Sequence, residues 1–435
     1  MRKALIVSPR FPPANASDCH RVRMMLPHLE QHGWSAVVLC VSAEDSEDAR
    51  DTELLRTVPA VTEVVTCRAI PERWTRRLGF GSLALRSALF LGAAGDRLLR
   101  AGGFDLVFFS TTEFGVLSLG PRWLRRFGVP FVVDLHDPWV NPYYVENNVR
   151  PPGGRFKHTL HQAAARRQEE RVLRNAAHII AVSREYPPSL MRRYSTLPES
   201  RFSVVPFGGA RRDFEFARQT GSVPAAISPV DGRRNWVYAG NVNPAMFKVI
   251  RAFFFAFRTA RESGILDPDS VHLHFVGTDY APGKRARGRV AQLAKECGVA
   301  DNVHEYPERV GYLETARWLL NADALLVFGS EEPGYTASKL YPYILAEKPL
   351  LTVFHEASSV TDVMRETSAG VSVTFGTGTP IEEIARRVMD SWFVPRRYST
   401  PPATSWEAFH RYSAESMTER VARIFDGAAL ARPAI

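Results

Sequence analysis

The sequence is poor in cysteine, lysine and long apolar runs, and each scarcity excludes something. Its four cysteines, Cys19, Cys40, Cys67 and Cys297, lie far apart with no C-x-x-C pair. That spacing argues against a disulfide framework or a zinc site and fits a reducing, cytoplasmic setting. No stretch approaches the roughly 18 uncharged apolar residues of a membrane span. The opening "MRKALIVSPRFPP" has too short an apolar stretch before its first proline for the core of a signal peptide. Walker A, H-E-x-x-H and G-x-S-x-G motifs are absent, as is the G-x-G-x-x-G dinucleotide fingerprint. Only seven of the 55 Lys and Arg residues are lysine, so the net charge of +9 comes mostly from arginine. Such a charge serves nucleic acid, an anionic membrane surface or phosphate-bearing substrates. The arginines are scattered rather than gathered in one basic arm, which weakens the nucleic-acid reading, and a GC-rich genome would produce the same bias.

What is present is a long, ordinary globular composition. At 435 residues, with 45% hydrophobic and 23% charged residues, the chain predicts two or three domains. The first forty residues read strand, loop, helix, strand: "KALIVS", the turn-rich "PRFPPANAS", the helix-like "DCHRVRMMLPHLEQHG" ending at Gly33, then "SAVVLCV". That order is a βαβ unit with a parallel pair. Apolar runs recur at "FDLVFFST", "PFVVDLH" and "AHIIAVS", uniformly apolar as in a sheet covered on both faces. Residues 205–234 show glycine, proline and charge without periodicity and read as a linker or boundary. The α/β pattern then restarts at "NWVYAGN" and continues through "VHLHFVG", "VHEYP", "ALLVFGS" and "PLLTVFH". The expected architecture is therefore α/β, two Rossmann-like doubly wound domains. The expected boundaries are 1–207 and 208–407, followed by a terminal amphipathic helix over about 408–431.

Ligands of open α/β sheets bind outside the carboxyl ends of the strands, so four loops carry the chemical expectations. In "SPRFPPANASDCHR", Asn15 and Ser17 lead into a helix start that favours anions, with Arg21 a turn further on. The alternative there is an ordinary helix cap by Ser17. In "VVDLHDPW", Asp134, His136, Asp137 and Trp139 crowd a strand's end; His136 is a candidate acid or base, and Asp137 would orient it or stabilise positive charge. The plainer reading is that Asp137-Pro138 caps the strand. In "YAGNVNPAMFK", Gly240 permits close backbone approach, Asn241 follows, and Lys248 is either a phosphate-binding point charge or a solvated lysine. In "GSEEPGYTASKLYPY", Ser338 is expected to cap a helix whose N–H groups, with Lys339, would hold a diphosphate. Pro342 inside that helix implies one lost hydrogen bond if Ser338 is the cap, or none if the helix begins near Tyr341. His272 and His274 share a strand face with no third ligand evident and read as structural, as does the D-P-D at Asp267–Asp269.

In this order, "FPP", "VVDLHDPW", "YAGNV", "ADALLVF" and "SKLYPYILAEKPLL" resemble the bacterial GT-B glycosyltransferases of family 4. The resemblance spans most of the chain, including a last helix that in such enzymes crosses back onto the first domain. It implies a metal-independent, retaining transfer of a sugar from a nucleotide-sugar, in the cleft between an acceptor-binding first domain and a donor-binding second one. No cofactor is implied beyond that co-substrate, and the acceptor would be a glycan, a lipid-linked molecule or a small molecule, as in polysaccharide biosynthesis. Carried over, His136 and Asp137 fall in the catalytic loop, with Asn15, Ser17 and Arg21 on the acceptor side. Gly240, Asn241, Lys248, Ser338 and Lys339 fall at the donor phosphates. Glu331, Glu332, Gly334, Tyr335 and Thr336 fall at the donor sugar, and Arg309, Val310 and Tyr312 at the base. The family's two glutamates, eight residues apart, are replaced by Gly334 and Pro342. That departure motivates a second class, a non-catalytic scaffold that binds a nucleotide or glycan or bridges partners; another GT-B-type reaction, nucleotide-sugar epimerisation, is a third. "PERWTRRLGFGSLALRSALFLG" and "PRWLRRFG" mix arginine with large apolar residues, as interfacial helices do, and would suit peripheral contact with an anionic membrane.

Overall fold

The computed structural model describes residues 1–75, 81–140, 155–227, 233–279, 287–332, 335 and 338–431. They form two compact units, one of residues 1–207 with 414–435, the other of residues 208–413.

The first unit is built on a seven-stranded, wholly parallel sheet: β1 (Arg2–Val7), β2 (Trp34–Val41), β3 (Glu63–Cys67), β4 (Leu106–Ser110), β5 (Phe131–Leu135), β6 (His178–Ala181) and β7 (Phe202–Val204). Their spatial order is β3-β2-β1-β4-β5-β6-β7. Residues on both faces of β4 and β5 are buried throughout, which explains the absence of alternation in these strands. The first helical stretch is not one helix. Pro27 interrupts it, leaving a helix over His20–Met25 and two short 3-10 turns before Gly33 closes the segment at φ 78°. The terminal amphipathic segment is likewise two helices, Trp406–His410 and Ala414–Leu430. The second belongs to the first unit: Phe425 packs edge-on against Trp34 and Phe108, and Asp426 accepts hydrogen bonds from Arg2 (2.6 Å) and Trp34 Nε1 (3.0 Å).

The second unit holds a six-stranded parallel sheet of β8 (Arg234–Ala239), β9 (Val271–Val276), β10 (Val303–Tyr306), β11 (Ala324–Phe328), β12 (Leu350–His355) and β13 (Val371–Phe375), ordered β10-β9-β8-β11-β12-β13. An aromatic cluster of Trp236, Phe253, Phe257, Phe328, Trp392 and Phe393 fills one face. The stretch read as a linker contains a nine-residue helix, Arg211–Gln219, whose Phe214 and Ala217 are buried against the Tyr312–Asn321 helix. Its two apolar anchors among charged residues left too weak a pattern for the sequence to show it.

His272 and His274 do have a neighbouring imidazole, from β10. His304 stacks between them, 2.8 Å from His272 Nδ1, and Tyr306 and Trp318 extend the stack. Burial holds all three imidazoles below the ordinary histidine range, His274 at about 3. No group of metal-binding side chains is found among the described residues. No described helix is long and apolar enough to cross a membrane.

Candidate functional site

Each sheet reverses its strand order once, the first between β1 and β4 and the second between β8 and β11. Such switch points open crevices at the carboxyl ends of the strands. The candidate residues gather in two clusters there, one in each unit.

In the first unit the register of β4 on β5 sets Ser110 beside Asp134. Asp134 Oδ2, fully buried, lies 2.5 Å from His136 Nε2, accepts the Ser110 hydroxyl at 2.8 Å and pairs with Arg21 Nε at 2.7 Å. Ser110 Oγ is also 3.1 Å from His136 Nε2. Burial opposes the Asp134 charge, but Arg21 and His136 outweigh it and hold the carboxyl below the ordinary range. Arg21 was expected on an acceptor-facing loop. It is instead fully buried, donating to the carbonyls of Val205 (2.6 Å) and Pro206 (3.2 Å), with Phe207 against its guanidinium. The same Phe207 ring meets His136 edge-on at 5.0 Å. Asp137 is exposed beside this cluster; the protein around it raises its carboxyl above the ordinary range, with Asp18 adding to the rise and His136 opposing it. Trp139 stacks on Phe114.

Asn15 is buried and Ser17 exposed. Ser17 does not cap the turn that follows: the cap position is Ala16, without a side-chain hydrogen bond. The loop is organised by Asp18, which the sequence reading passed over. Its buried carboxylate accepts from the Thr112 backbone N–H and both the Thr111 and Thr112 hydroxyls, and pairs with Arg10, which also grips Asp48 and Glu113. One charged network thus ties the loop after β1 to the loop after β4, at the switch point itself.

In the second unit Gly240 follows β8 at φ 130°, a conformation that disfavours any side chain. A Cβ there would come within 3.3 Å of the Lys339 ammonium, so the bare backbone and the lysine are immediate neighbours. Lys339 Nζ donates to the Tyr238 hydroxyl at 2.5 Å and lies 4.2 Å from the centre of the Tyr238 ring. That hydroxyl in turn donates to the Asn241 carbonyl. No carboxylate pairs with Lys339 among the described residues, and burial pushes its ammonium down to about 7. Tyr343 holds the end of β8 in place, exchanging hydrogen bonds with both the N–H and the carbonyl of Ala239. Lys248 sits beside the same loop and pairs with Glu331 at 2.9 Å.

Several expectations at this end are adjusted. The helix runs over Leu340–Leu345 with Lys339 at its cap position, so Ser338 is an exposed residue outside it rather than its cap. Pro342 then occupies the third helical position. Its N–H would have had no partner within the helix, so the proline costs no hydrogen bond there. Glu332 is exposed, and its carbonyl accepts from Tyr335, which stacks on Phe354. Arg309 and Val310 lie between β10 and the Tyr312–Asn321 helix, which Tyr312 opens; all three are half-buried, and their segment adjoins the loop after β9 through Asp279 N–H to Pro307 O. Gly334 and Thr336 lie outside the described residues. Tyr238, which receives Lys339, was missed although a tyrosine two residues before Gly240 is visible in "NWVYAGN".

Two parallel α/β units, each with polar groups converging at a sheet's switch point, make a two-domain α/β architecture of the GT-B kind. Comparison with known proteins agrees with that class. Residues 20–208 match the model of the glycosyl transferase 4-like domain. The chain is similar to the crystal structure of Anabaena HepE in complex with UDP and glucose, at 15% identity and a TM-score of 0.60, over 98% of this chain and 100% of that one. It is similar to WaaG, a glycosyltransferase involved in lipopolysaccharide biosynthesis, at 14% identity and a TM-score of 0.58, over 97% and 100% of the two chains. It is also similar to a UDP-GlcNAc 2-epimerase from Methanocaldococcus jannaschii, at 12% identity and a TM-score of 0.54, over 98% and 99%. None of the curated proteins matches it. At these identities the likeness defines the fold.

Proposed function

We propose that this protein is a metal-independent, retaining glycosyltransferase that moves a sugar from a nucleotide-sugar to a glycan, lipid-linked or small-molecule acceptor. In this reading the second unit binds the donor and the first unit the acceptor. The observation that carries it is the Lys339 ammonium, half-buried and without an acid partner among the described residues, beside the bare backbone of Gly240 at the carboxyl ends of β8 and β11. An unneutralised cation shielded from water costs stability, and a diphosphate brought against it would supply the missing charge and the acceptor oxygens. Lys248, now held by Glu331, would exchange that carboxylate for a phosphate oxygen. His136, on its buried carboxylate, would meet the reacting sugar in the first unit. UDP is the first nucleotide to test, because HepE was crystallised with it.

Peripheral contact with an anionic membrane from the cytoplasmic side is part of the proposal. The outward face of the Leu83–Ala101 helix carries Leu85, Leu89 (80% exposed) and Phe90, then Arg97 and Arg100. Its one acid, Asp96, is turned inward onto Arg122, Trp123 and Arg126. An apolar stripe ending in unopposed arginines fits the boundary of an anionic bilayer, where a lipid-linked acceptor would be met.

A thermal-shift panel of UDP, other nucleoside diphosphates and their sugars tests the donor half of the proposal. At least one is expected to raise the melting temperature of the wild type and not of Lys339→Met. No shift with any member would contradict the donor assignment. A second reading, nucleotide-sugar epimerisation, draws on the epimerase fold likeness. Product analysis without an added acceptor separates the two.

A further inference from the structure

The second unit has a cavity that the proposed transfer leaves unused. Its volume is about 660 Å³, within the range of small-molecule sites. Arg234 opens β8, Asp323 precedes β11 and Lys348 precedes β12, so the cavity lies at the amino ends of these strands. Gly240 and its neighbour Lys339, by contrast, lie beyond the carboxyl end of β8. Leu320, Pro349 and Tyr398 add apolar surface to the cavity wall.

Its charges are poorly matched within the protein. Three cations, Arg218, Arg234 and Lys348, share it with two acids, Asp323 and Glu347. Arg218 lies 3.6 Å from Glu347, and both side chains are about half exposed, so that pair contributes little. Arg234 donates to the Ser399 hydroxyl at 2.8 Å and lies 5.7 Å from the centre of the Tyr398 ring, and it meets no acid among the described residues. Lys348 has no polar partner among them. The Asp323 carboxylate accepts one hydrogen bond there, from the Asn235 N–H at 2.7 Å.

Three helices end on this side, Arg211–Gln219, Tyr312–Asn321 and Leu340–Leu345, and cations complement the carbonyls of a helix C-terminus. That preference accounts for Arg218 and Lys348 and makes Glu347 the anomaly. Glu347 follows the last of these helices at φ 61°, a left-handed conformation that glycine adopts freely, and an acid there opposes the helix dipole. A residue placed against two local preferences, with only a long ion pair in the fold, points to a use for its side chain outside the fold. We propose that this cavity binds an anionic sugar, a hexose carrying one phosphate or carboxylate group. Glu347 and Asp323 offer acceptor oxygens to its hydroxyls, Arg234 and Lys348 hold its anionic group, and Leu320 and Pro349 meet the face of its ring. The one cation in excess sets the sign of the ligand's charge. The inference is independent of the glycosyltransferase reading.

Calorimetric titration of the full chain with glucose 6-phosphate, glucuronate, glucose and inorganic phosphate tests it. The two anionic sugars are expected to bind more tightly than glucose or phosphate alone. A preference for glucose 6-phosphate assigns the cavity to a free sugar phosphate, and one for glucuronate to an acidic glycan. No binding of either anionic sugar, or phosphate bound as tightly as both, would overturn the proposal. Lys348→Ala and Arg234→Gln are each expected to weaken binding about tenfold or more, the loss of one charge-assisted hydrogen bond. Lys339→Met is expected to leave it unchanged, which separates this cavity from the donor residues. The reverse pattern, binding lost in Lys339→Met and kept in Lys348→Ala, would overturn it. Glu347→Gly is expected to melt at or above the wild-type temperature and to bind the sugars more weakly. Melting well below the wild type with sugar binding intact would show that Glu347 serves the fold, and would overturn its place in the site.

Discussion

Replacing Lys339 with methionine separates function from stability at one position. The ammonium falls from the usual 10.5 to about 7 because the surrounding protein shields it from water, and no carboxylate pairs with it among the described residues. At about 1.36 kcal/mol per pH unit, that corresponds to a cost on the order of 4 kcal/mol near pH 7. The folded-state value lies below the unfolded one, so the folded form holds the proton less tightly. The cost is therefore complete below about pH 7 and disappears as the pH rises toward 10.5. Methionine removes the charge and keeps most of the packing on the Tyr238 ring. The Tyr238 hydroxyl loses its donor, which costs about 1–2 kcal/mol and leaves a net gain of roughly 2–3 kcal/mol at pH 7. Losing a charge-assisted contact to phosphate should weaken UDP binding by about 10- to 100-fold. Urea unfolding at pH 7 and pH 9.5, with calorimetric titration of UDP, measures both. The expected result is a variant more stable than wild type at pH 7, by a margin that narrows at pH 9.5, with UDP binding weakened by that factor. A variant that is less stable at pH 7 and binds UDP as the wild type does would refute the reasoning.

Two further outcomes follow from the same chemistry. The stacked His272, His304 and His274 have folded-state values below the ordinary 6.5, so the unfolded chain binds protons more tightly and stability should fall as the pH drops below 6.5. His274 alone, held at about 3, should contribute about 2 kcal/mol of loss by pH 5, and His274→Gln should flatten the dependence of the urea midpoint between pH 7 and 5; an unchanged slope would rule the stack out as its source. Flotation with anionic vesicles should recover the wild type at low salt and release it at high salt, with Leu89→Glu weakening recovery; equal recovery of both proteins would remove the Leu83–Ala101 helix face as the contact.

The fold was readable because parallel strands buried on both faces leave uninterrupted apolar runs, as at "FDLVFFST" and "PFVVDLH". Three strands without that burial escaped notice. β3 and β13 lie at sheet edges with half-exposed residues, and β7 has three residues. The helix Arg211–Gln219 was hidden by its charge. At the candidate sites, the loops could be found by their position after strands, and the unusual residue types in "VVDLHDPW" marked one of them. The partners within those loops could not be found this way. Nothing local says that Arg21 reaches Asp134, 113 positions on, or that Lys248 meets Glu331. Those pairings are set by sheet order and by where each helix begins. The same dependence explains Ser338: one residue's difference in the helix start turns a cap into an exposed neighbour and leaves Pro342 without cost.

The most direct test of the central claim is turnover of nucleotide-sugars, with chelator present and with and without sugar acceptors, by wild type and His136→Ala. The account predicts that one donor gives a glycosylated product whose anomeric configuration matches the donor's. It predicts also that His136→Ala binds that donor and does not turn it over. Donor binding with no product from the wild type under any condition would contradict it and favour a scaffold. Interconversion of the donor sugar in the absence of acceptor would replace it with epimerisation.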